Sequence, residues 1–229
     1  AWLAPGEQVI GHADSDAWKH LWGDAWFARD LGSALPVPTQ ADMLWAPDGG
    51  VLYNLDPLTG FVAAALSPLL GLVLAHDLAQ IGAVVLGAVG ATLLAREVTG
   101  DPATAAIAGA VHGFSAHLQA AVFASGIGET AHVGFIPLSL WAALRVLRGE
   151  RRMAFALAPF LALSAIGSWY YGMVTSLVAS VVVGAALVRR LHRGDDPWVG
   201  VPALALGVAG ALVLVAPFAW AFLGTFGDG

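Results

Sequence analysis

From residue 60 onward, long apolar runs alternate with short breaks that hold charged residues or glycine, and this alternation limits what the chain can fold into. Each run is near the roughly 20 residues that a helix needs to cross a bilayer. Backbone inside lipid must satisfy its own hydrogen bonds, and the runs are rich in Ala, Gly, Leu and Val, so helices are expected rather than barrel strands. The runs lie at about 78–95, 103–123, 131–147, 153–169, 172–188 and 199–222, which predicts six spans.

Composition agrees with this pattern, because 58% of the residues are hydrophobic and only 11% are charged. Soluble domains carry about 25% charged residues. The predicted fold class is therefore all-α, a polytopic membrane helix bundle with an external N-terminal segment that contains interfacial helices. We divide the chain into an external loop segment with an amphipathic helix at 1–59, a short apolar segment at 60–76, and a six-span bundle at 77–229.

Arginine placement predicts the orientation of the bundle. With six spans, the three breaks that hold arginine all fall on one face, which the positive-inside rule makes cytoplasmic. The acidic N-terminal segment and the loop 125–130 then share the opposite, external or periplasmic face, as in a protein of the bacterial plasma (inner) membrane. The arginines beyond residue 57 are Arg96, Arg145, Arg148, Arg151, Arg152, Arg189, Arg190 and Arg193.

The run from residue 60 to residue 75 is apolar but short, and Pro68 interrupts it. We interpret 60–76 as a re-entrant or half-inserted segment, since broken helix at membrane depth is tolerated where protein buries it. The alternative is a true span, which would move residues 1–57 to the cytoplasmic side.

An amphipathic helix is predicted within residues 11–31. At about 100° per residue, Trp18, Trp22 and Trp26 fall on one stripe of this helix. A second stripe carries Asp16, His20 and Asp24. Such a helix would lie flat at the membrane surface with its rings down and its carboxylates up. In the alternative, the tryptophan stripe packs on the rest of the protein.

Three acidic residues are candidates for chemistry. Asp14 and Asp16 form an Asp-x-Asp pair just before the predicted helix, and two hard carboxylates this close can share Mg²⁺ or Mn²⁺. A lone carboxylate there could instead act as a general base, or the pair could simply cap the helix. Glu129 lies in a glycine-flanked loop on the same predicted face, where the alternative is an ordinary solvated loop residue.

Several classes of function are excluded by residue content. The chain has no cysteine, which removes disulfides, thiolate nucleophiles and Cys-ligated zinc or iron–sulfur clusters. No phosphate-binding loop, dinucleotide fingerprint, nucleophile elbow or zinc-protease helix motif occurs. Residues 1–57 hold eight acids and two bases, which accounts for the whole net charge of −6, so no nucleic-acid partner is expected.

The order of these features resembles the N-terminal part of a GT-C type polytopic membrane glycosyltransferase. Three segments carry the resemblance, namely residues 12–22 (HADSDAWKHLW), 44–58 (LWAPDGGVLYNLDPL), and 126–130 (GIGET) with the following PLSLW and arginine cluster. It implies transfer of a sugar from a polyprenyl-phosphate-linked donor at the external membrane face. It also implies an acidic residue or modified Asp-x-Asp in the first external loop, with a divalent metal in some members. Matched to this chain, these are Asp14 and Asp16, with Glu129 as a second acidic group.

Membrane lipids and the lipid-linked donor are the partners that this interpretation requires. The chain opens without Met and stops just after an apolar run, so we expect it to be a piece of a longer protein. A second hypothesis is a non-catalytic membrane subunit that docks a protein partner through its tryptophan-rich external segment, because exposed aromatic stripes also mark interfaces.

Overall fold

The structure is a computed structural model that describes residues 6–12, 14–30, 40–41, 50–51 and 56–227. Much of the predicted motif at 44–58, including Trp45, lies outside these residues. The α-helices are α1 Ala17–Asp30, α2 Pro57–Leu70, α3 Leu72–Thr99, α4 Pro102–Gly113, α5 Ala116–Leu118, α6 Phe135–Leu147, α7 Ala154–Gly167, α8 Trp169–Arg193 and α9 Val201–Gly227. A π-helical stretch, Gln119–Ala124, continues α5, and 3-10 turns at Gly128–Gly134 and Arg151–Met153 lead into α6 and α7. The strands β1 Gln40–Ala41 and β2 Gly50–Val51 pair antiparallel.

Within the described residues, five helical segments are long and apolar enough to cross a membrane, which confirms the all-α membrane bundle. The chain is therefore an integral membrane protein. The five segments are Leu72–Thr99, Pro102–Ala124, Gly128–Leu147, Trp169–Arg193 and Val201–Trp220.

The fourth predicted span, 153–169, differs from the prediction. The structure has α7 there, a helix of 14 residues. At 1.5 Å per residue it is about 21 Å long, less than the roughly 30 Å of the hydrocarbon core. Its buried Ala162 and Ile166 pack with Ala211 and Phe218 of α9. Because α7 packs along α9, part of its surface is buried by protein and does not depend on crossing the lipid, and composition alone could not indicate this.

The three arginine-bearing breaks meet at one end of the bundle, here called the arginine end. Arg148 after α6 pairs with Glu97 near the end of α3, and its Nη2 donates to the Glu97 carbonyl at 2.9 Å. Arg190 near the end of α8 donates to the carbonyls of Leu147 and, at 2.8 Å, Val199. The structure therefore groups these three breaks at one end of the bundle, as predicted.

At the opposite end, α2 folds back on the first turns of α3. The two helices are separated by Gly71, which adopts φ 79° and ψ 155°, a backbone conformation that side chains rarely allow. Near the start of α2, Thr59 lies beside Gln80 of α3, with the amide nitrogen 3.4 Å from the hydroxyl. At 14 residues α2 is a short apolar helix, and its predicted half-inserted position stays a prediction.

Candidate functional site

Three histidine–carboxylate pairs, two of them almost completely buried and one partly exposed, lie beneath α1, at the end of the bundle opposite the arginines. They join α1, the start of α2, α3 and the 3-10 turn before α6, and we call them the histidine–carboxylate cluster. The pairs are His20 with Glu129, His76 with Asp24, and His132 with Asp56.

The first pair fixes α1 to the loop that precedes Glu129. His20 Nε2 and Glu129 Oε2 are 2.8 Å apart and form an ion pair when His20 is protonated. The loop glycines allow this approach. A Cβ on Gly126 would lie 2.5 Å from the Cβ of Ala17, and one on Gly128 would lie 2.6 Å from Gln80 Nε2. A side chain at Gly126 would therefore push α1 away, and one at Gly128 would displace the Gln80 side chain of α3.

The second pair joins α1 to the start of α3. Asp24 Oδ2 lies 2.7 Å from His76 Nδ1, and both side chains are almost completely buried. The next residue, Asp77, accepts a hydrogen bond from the backbone N–H of Ile10 at 2.9 Å, so the chain before α1 is also held to α3. The sequence assigned no role to His76 and Asp77, and in the structure both anchor the N-terminal region to α3.

The third pair forms where α2 begins. Asp56 caps α2, because its Oδ1 accepts the backbone N–H of Thr59 at 3.1 Å. The same carboxylate lies 2.7 and 2.8 Å from His132 Nε2 and accepts the Thr59 hydroxyl. Asp56 is fully buried and has φ 63°, a left-handed conformation that Asp tolerates better than most residues.

Burial and pairing shift the pKa values of this cluster in different directions. Burial acts to lower the pKa of His20, but the hydrogen bond and charge of Glu129 outweigh it, so the net pKa is raised. Burial raises the pKa of Asp24, with His76 opposing. For Asp56, burial is outweighed by the charge and hydrogen bond of His132 and by Thr59, so its pKa is lowered. Asp56 is thus a carboxylate at neutral pH.

Asp14 and Asp16 lie at the same end of the bundle but at the surface. Their side chains are 93% and 54% exposed, and Asp16 pairs with Lys19 at 3.3 Å. Both line an open cavity of about 440 Å³ together with Ser125 and Ile127 of the Glu129 loop. The predicted proximity of the N-terminal Asp-x-Asp and this loop is therefore present, although the Glu129 carboxylate lies against His20.

The predicted orientation of α1 is wrong in one respect. His20 and Asp24, assigned to the outward polar stripe, point into the protein with 1% and 0% exposure. Helical periodicity predicts two stripes but does not identify the buried one. Here His20 and Asp24 of the polar stripe are buried, because His20 pairs with Glu129 and Asp24 pairs with His76. Trp26 also packs inward, against Phe27 and α2, so the alternative of a packed tryptophan stripe fits better. Trp18 is 55% exposed.

Sequence reasoning missed most of the histidine–carboxylate cluster. Asp24 had been assigned to the outward polar stripe, Asp56 had been counted only as acidic charge, and His132 had been given no role. One available signal was Gln80, a buried amide within an otherwise apolar span. Another was the Asp56-Pro57 step, a typical start of a helix.

The fold and the cluster together define an all-α integral membrane protein whose polar centre lies at one end of the bundle, under an N-terminal helix. Comparison with protein-family models, curated proteins and solved structures finds no match for this chain.

Proposed function

We propose that this protein is a membrane glycosyltransferase of the GT-C type, or the N-terminal part of one. It would transfer a sugar from a polyprenyl-phosphate-linked donor at the external face of a bacterial plasma membrane. The observation that carries the proposal is the open cavity where Asp14 and Asp16 meet the Glu129 loop. It provides two exposed carboxylates next to membrane-spanning helices, as a lipid-linked substrate requires.

A second cavity supports the lipid-linked donor. It has a volume of about 330 Å³ and lies between α2, α3, α6 and α7. Leu58, Val62 and Leu86 contribute to its largely apolar lining, and Thr59 and His132 of the histidine–carboxylate cluster also line it. Apolar pockets of this size suit hydrocarbon ligands. Part of a polyprenyl chain could occupy this cavity.

In the proposed reaction, Asp14 or Asp16 takes the proton of the acceptor hydroxyl. The acceptor oxygen then bonds to the anomeric carbon of the sugar as the bond from that carbon to the phosphate oxygen breaks. The products are the glycosylated acceptor and polyprenyl phosphate, which keeps the bonding electrons. Glu129, 28% exposed and paired with His20, would hold α1 and its preceding Asp-x-Asp in place.

A divalent ion could be held at this site only by the two carboxylates of Asp14 and Asp16. Among the described residues no group of three or more His, Asp or Glu could hold a metal. Mg²⁺ is often held by one or two carboxylates completed by substrate phosphates, and Asp14 and Asp16 suit that mode. Such an ion would neutralise charge on the leaving phosphate.

Substitution of both aspartates tests the proposal. Because Asp14 and Asp16 are exposed, the double variant Asp14→Asn with Asp16→Asn should fold normally. The assay measures release of polyprenyl phosphate from a panel of polyprenyl-phosphate-linked sugars in proteoliposomes, with membrane extract as the source of acceptor. The matched control is Asp195→Asn, an exposed aspartate on the other side of the bundle, in the break after α8.

Turnover by the wild type that falls at least 100-fold in the double variant, and not in the control, would support the proposal. Turnover that survives the double substitution would exclude these carboxylates as the catalytic groups. The docking hypothesis predicts the opposite pattern, in which Trp18→Ala disrupts a complex while the aspartate changes have no effect. It has less support, because Trp26 is committed to the interior.

A further inference from the structure

A separate cavity lies at the arginine end, between the start of α7 and the start of α9. Its volume is about 690 Å³, and it is open to the surroundings of the protein. Its lining combines cationic and apolar side chains, with Arg151 and Arg152 on one side and Trp198, Pro202 and Leu206 on the other.

Arg151 and Arg152 differ from the other arginines around α6. Arg145 and Arg148 pair with Glu150 and Glu97, which joins α6 to its neighbours. By contrast, the guanidinium groups of Arg151 and Arg152 are exposed and have no hydrogen-bond or ion-pair partner within the described part of the chain. Two adjacent unpaired cations thus border a cavity, where they attract an anion.

One acidic residue, Asp196, also lines the cavity. Its Oδ1 accepts the backbone N–H of Trp198 at 2.9 Å, so it organises the turn before α9. Two arginines and one aspartate leave the cavity with a net positive charge.

Large apolar side chains flank these cations without protein cover. Phe155 on the first turn of α7 is 77% exposed, and Trp198 is 72% exposed. Leu206 on α9 is 59% exposed. Aromatic residues beside arginines at the end of a membrane helix are typical of the boundary between headgroups and hydrocarbon. A free phosphate ion would use the arginines but would gain nothing from these apolar surfaces.

We propose that this cavity binds an anionic phospholipid. Arg151 and Arg152 would contact the headgroup phosphate, and Trp198 would lie at the level of the glycerol backbone. One acyl chain would pass along Phe155 and Leu206 into the bilayer. The proposal concerns the opposite end of the bundle from the Asp14 cavity and does not depend on the proposed function.

The test measures lipid binding to the purified full chain in detergent by native mass spectrometry. Phosphatidylglycerol, phosphatidylcholine and inorganic phosphate are titrated separately. The test variant is Arg151→Gln with Arg152→Gln. The matched control is Arg189→Gln with Arg193→Gln, which removes the same charge from exposed positions outside the cavity lining. A third variant, Trp198→Ala, changes the apolar side without changing charge.

Each arginine near an anionic headgroup contributes about fivefold in affinity, so the test variant should bind phosphatidylglycerol roughly 25-fold more weakly. The control should lose less than about threefold, and Trp198→Ala should weaken binding measurably. Equal losses in the test and control variants would overturn the proposal, because general electrostatic attraction would then suffice. Equal affinity for phosphatidylcholine, or equal occupancy by inorganic phosphate, would also overturn it.

Discussion

Replacement of Asp56 by alanine should be one of the most destabilising single changes in this protein. The carboxylate caps α2 and binds His132, and both roles end together in Asp56→Ala. Loss of the cap costs about 1 kcal/mol. Leaving the buried His132 imidazole without its partner costs about 1–3 kcal/mol more. Alanine at a left-handed φ adds about 1 kcal/mol, so the free energy of unfolding should fall by about 4 kcal/mol.

Two further variants separate these contributions. Asp56→Asn keeps a capping oxygen and tolerates the left-handed backbone but loses the charge, so its cost should be about 2 kcal/mol. Asp101→Ala removes the N-cap of α4, where the carboxylate accepts the backbone N–H groups of Ala103 and Thr104. Asp101 is exposed, so its loss should cost only a fraction of the Asp56→Ala effect.

The free energy of unfolding can be measured by titration with sodium dodecyl sulfate in mixed micelles, with far-ultraviolet circular dichroism as the signal. We expect the loss in the free energy of unfolding to be largest for Asp56→Ala, smaller for Asp56→Asn and smallest for Asp101→Ala. Equal losses for Asp56→Ala and Asp101→Ala would refute it, since the pair with His132 would then contribute nothing beyond an ordinary cap.

Three other predictions concern the attachment of α1. Because the pKa of His20 is raised in the folded state, its pairing with Glu129 stabilises the protein fully below pH 6.5 and is lost as pH rises through the raised value. His20→Gln should therefore remove part of the fall in melting temperature above pH 6.5, and an unchanged pH profile would argue against the pair. Gly126→Ala should expose α1 to protease by displacing Ala17, whereas Gly184→Ala, where a Cβ would meet nothing, should not. Glu129→Gln should lower the melting temperature by several degrees at pH 6 and much less at high pH, which a scan at both values can check.

The sequence was sufficient to predict the helical bundle and the grouping of the arginines, because both follow from the properties of the lipid bilayer. Lipid requires long apolar helices, and Arg148 and Arg190 cannot stay within the hydrocarbon. The inward direction of His20 and Asp24 could not be predicted, because it depends on partners more than 50 residues away in sequence. The short length of α7 was hidden for a similar reason, since it depends on packing against α9, which lies more than 30 residues further along the chain. Asp14 and Asp16 could be identified as candidates because an Asp-x-Asp pair is a short, local sequence pattern. Their shared cavity with Ser125 agrees with the prediction that the N-terminal segment and the loop 125–130 lie on one face.

The histidine–carboxylate cluster also determines when the N-terminal region can reach its final position during synthesis. Asp24 must wait for His76, 52 residues later, and Asp56 must wait for His132, 76 residues later. His20 needs Glu129, which emerges only after α3, α4 and the π-helical stretch have been made. Although α1 precedes all of these partners in the chain, it is thus among the last parts of this region to be fixed. Until those partners have been made, His20 and Asp24 have nothing to pair with, so α1 can be fixed only after the segments that carry Glu129 and His76 have been synthesised.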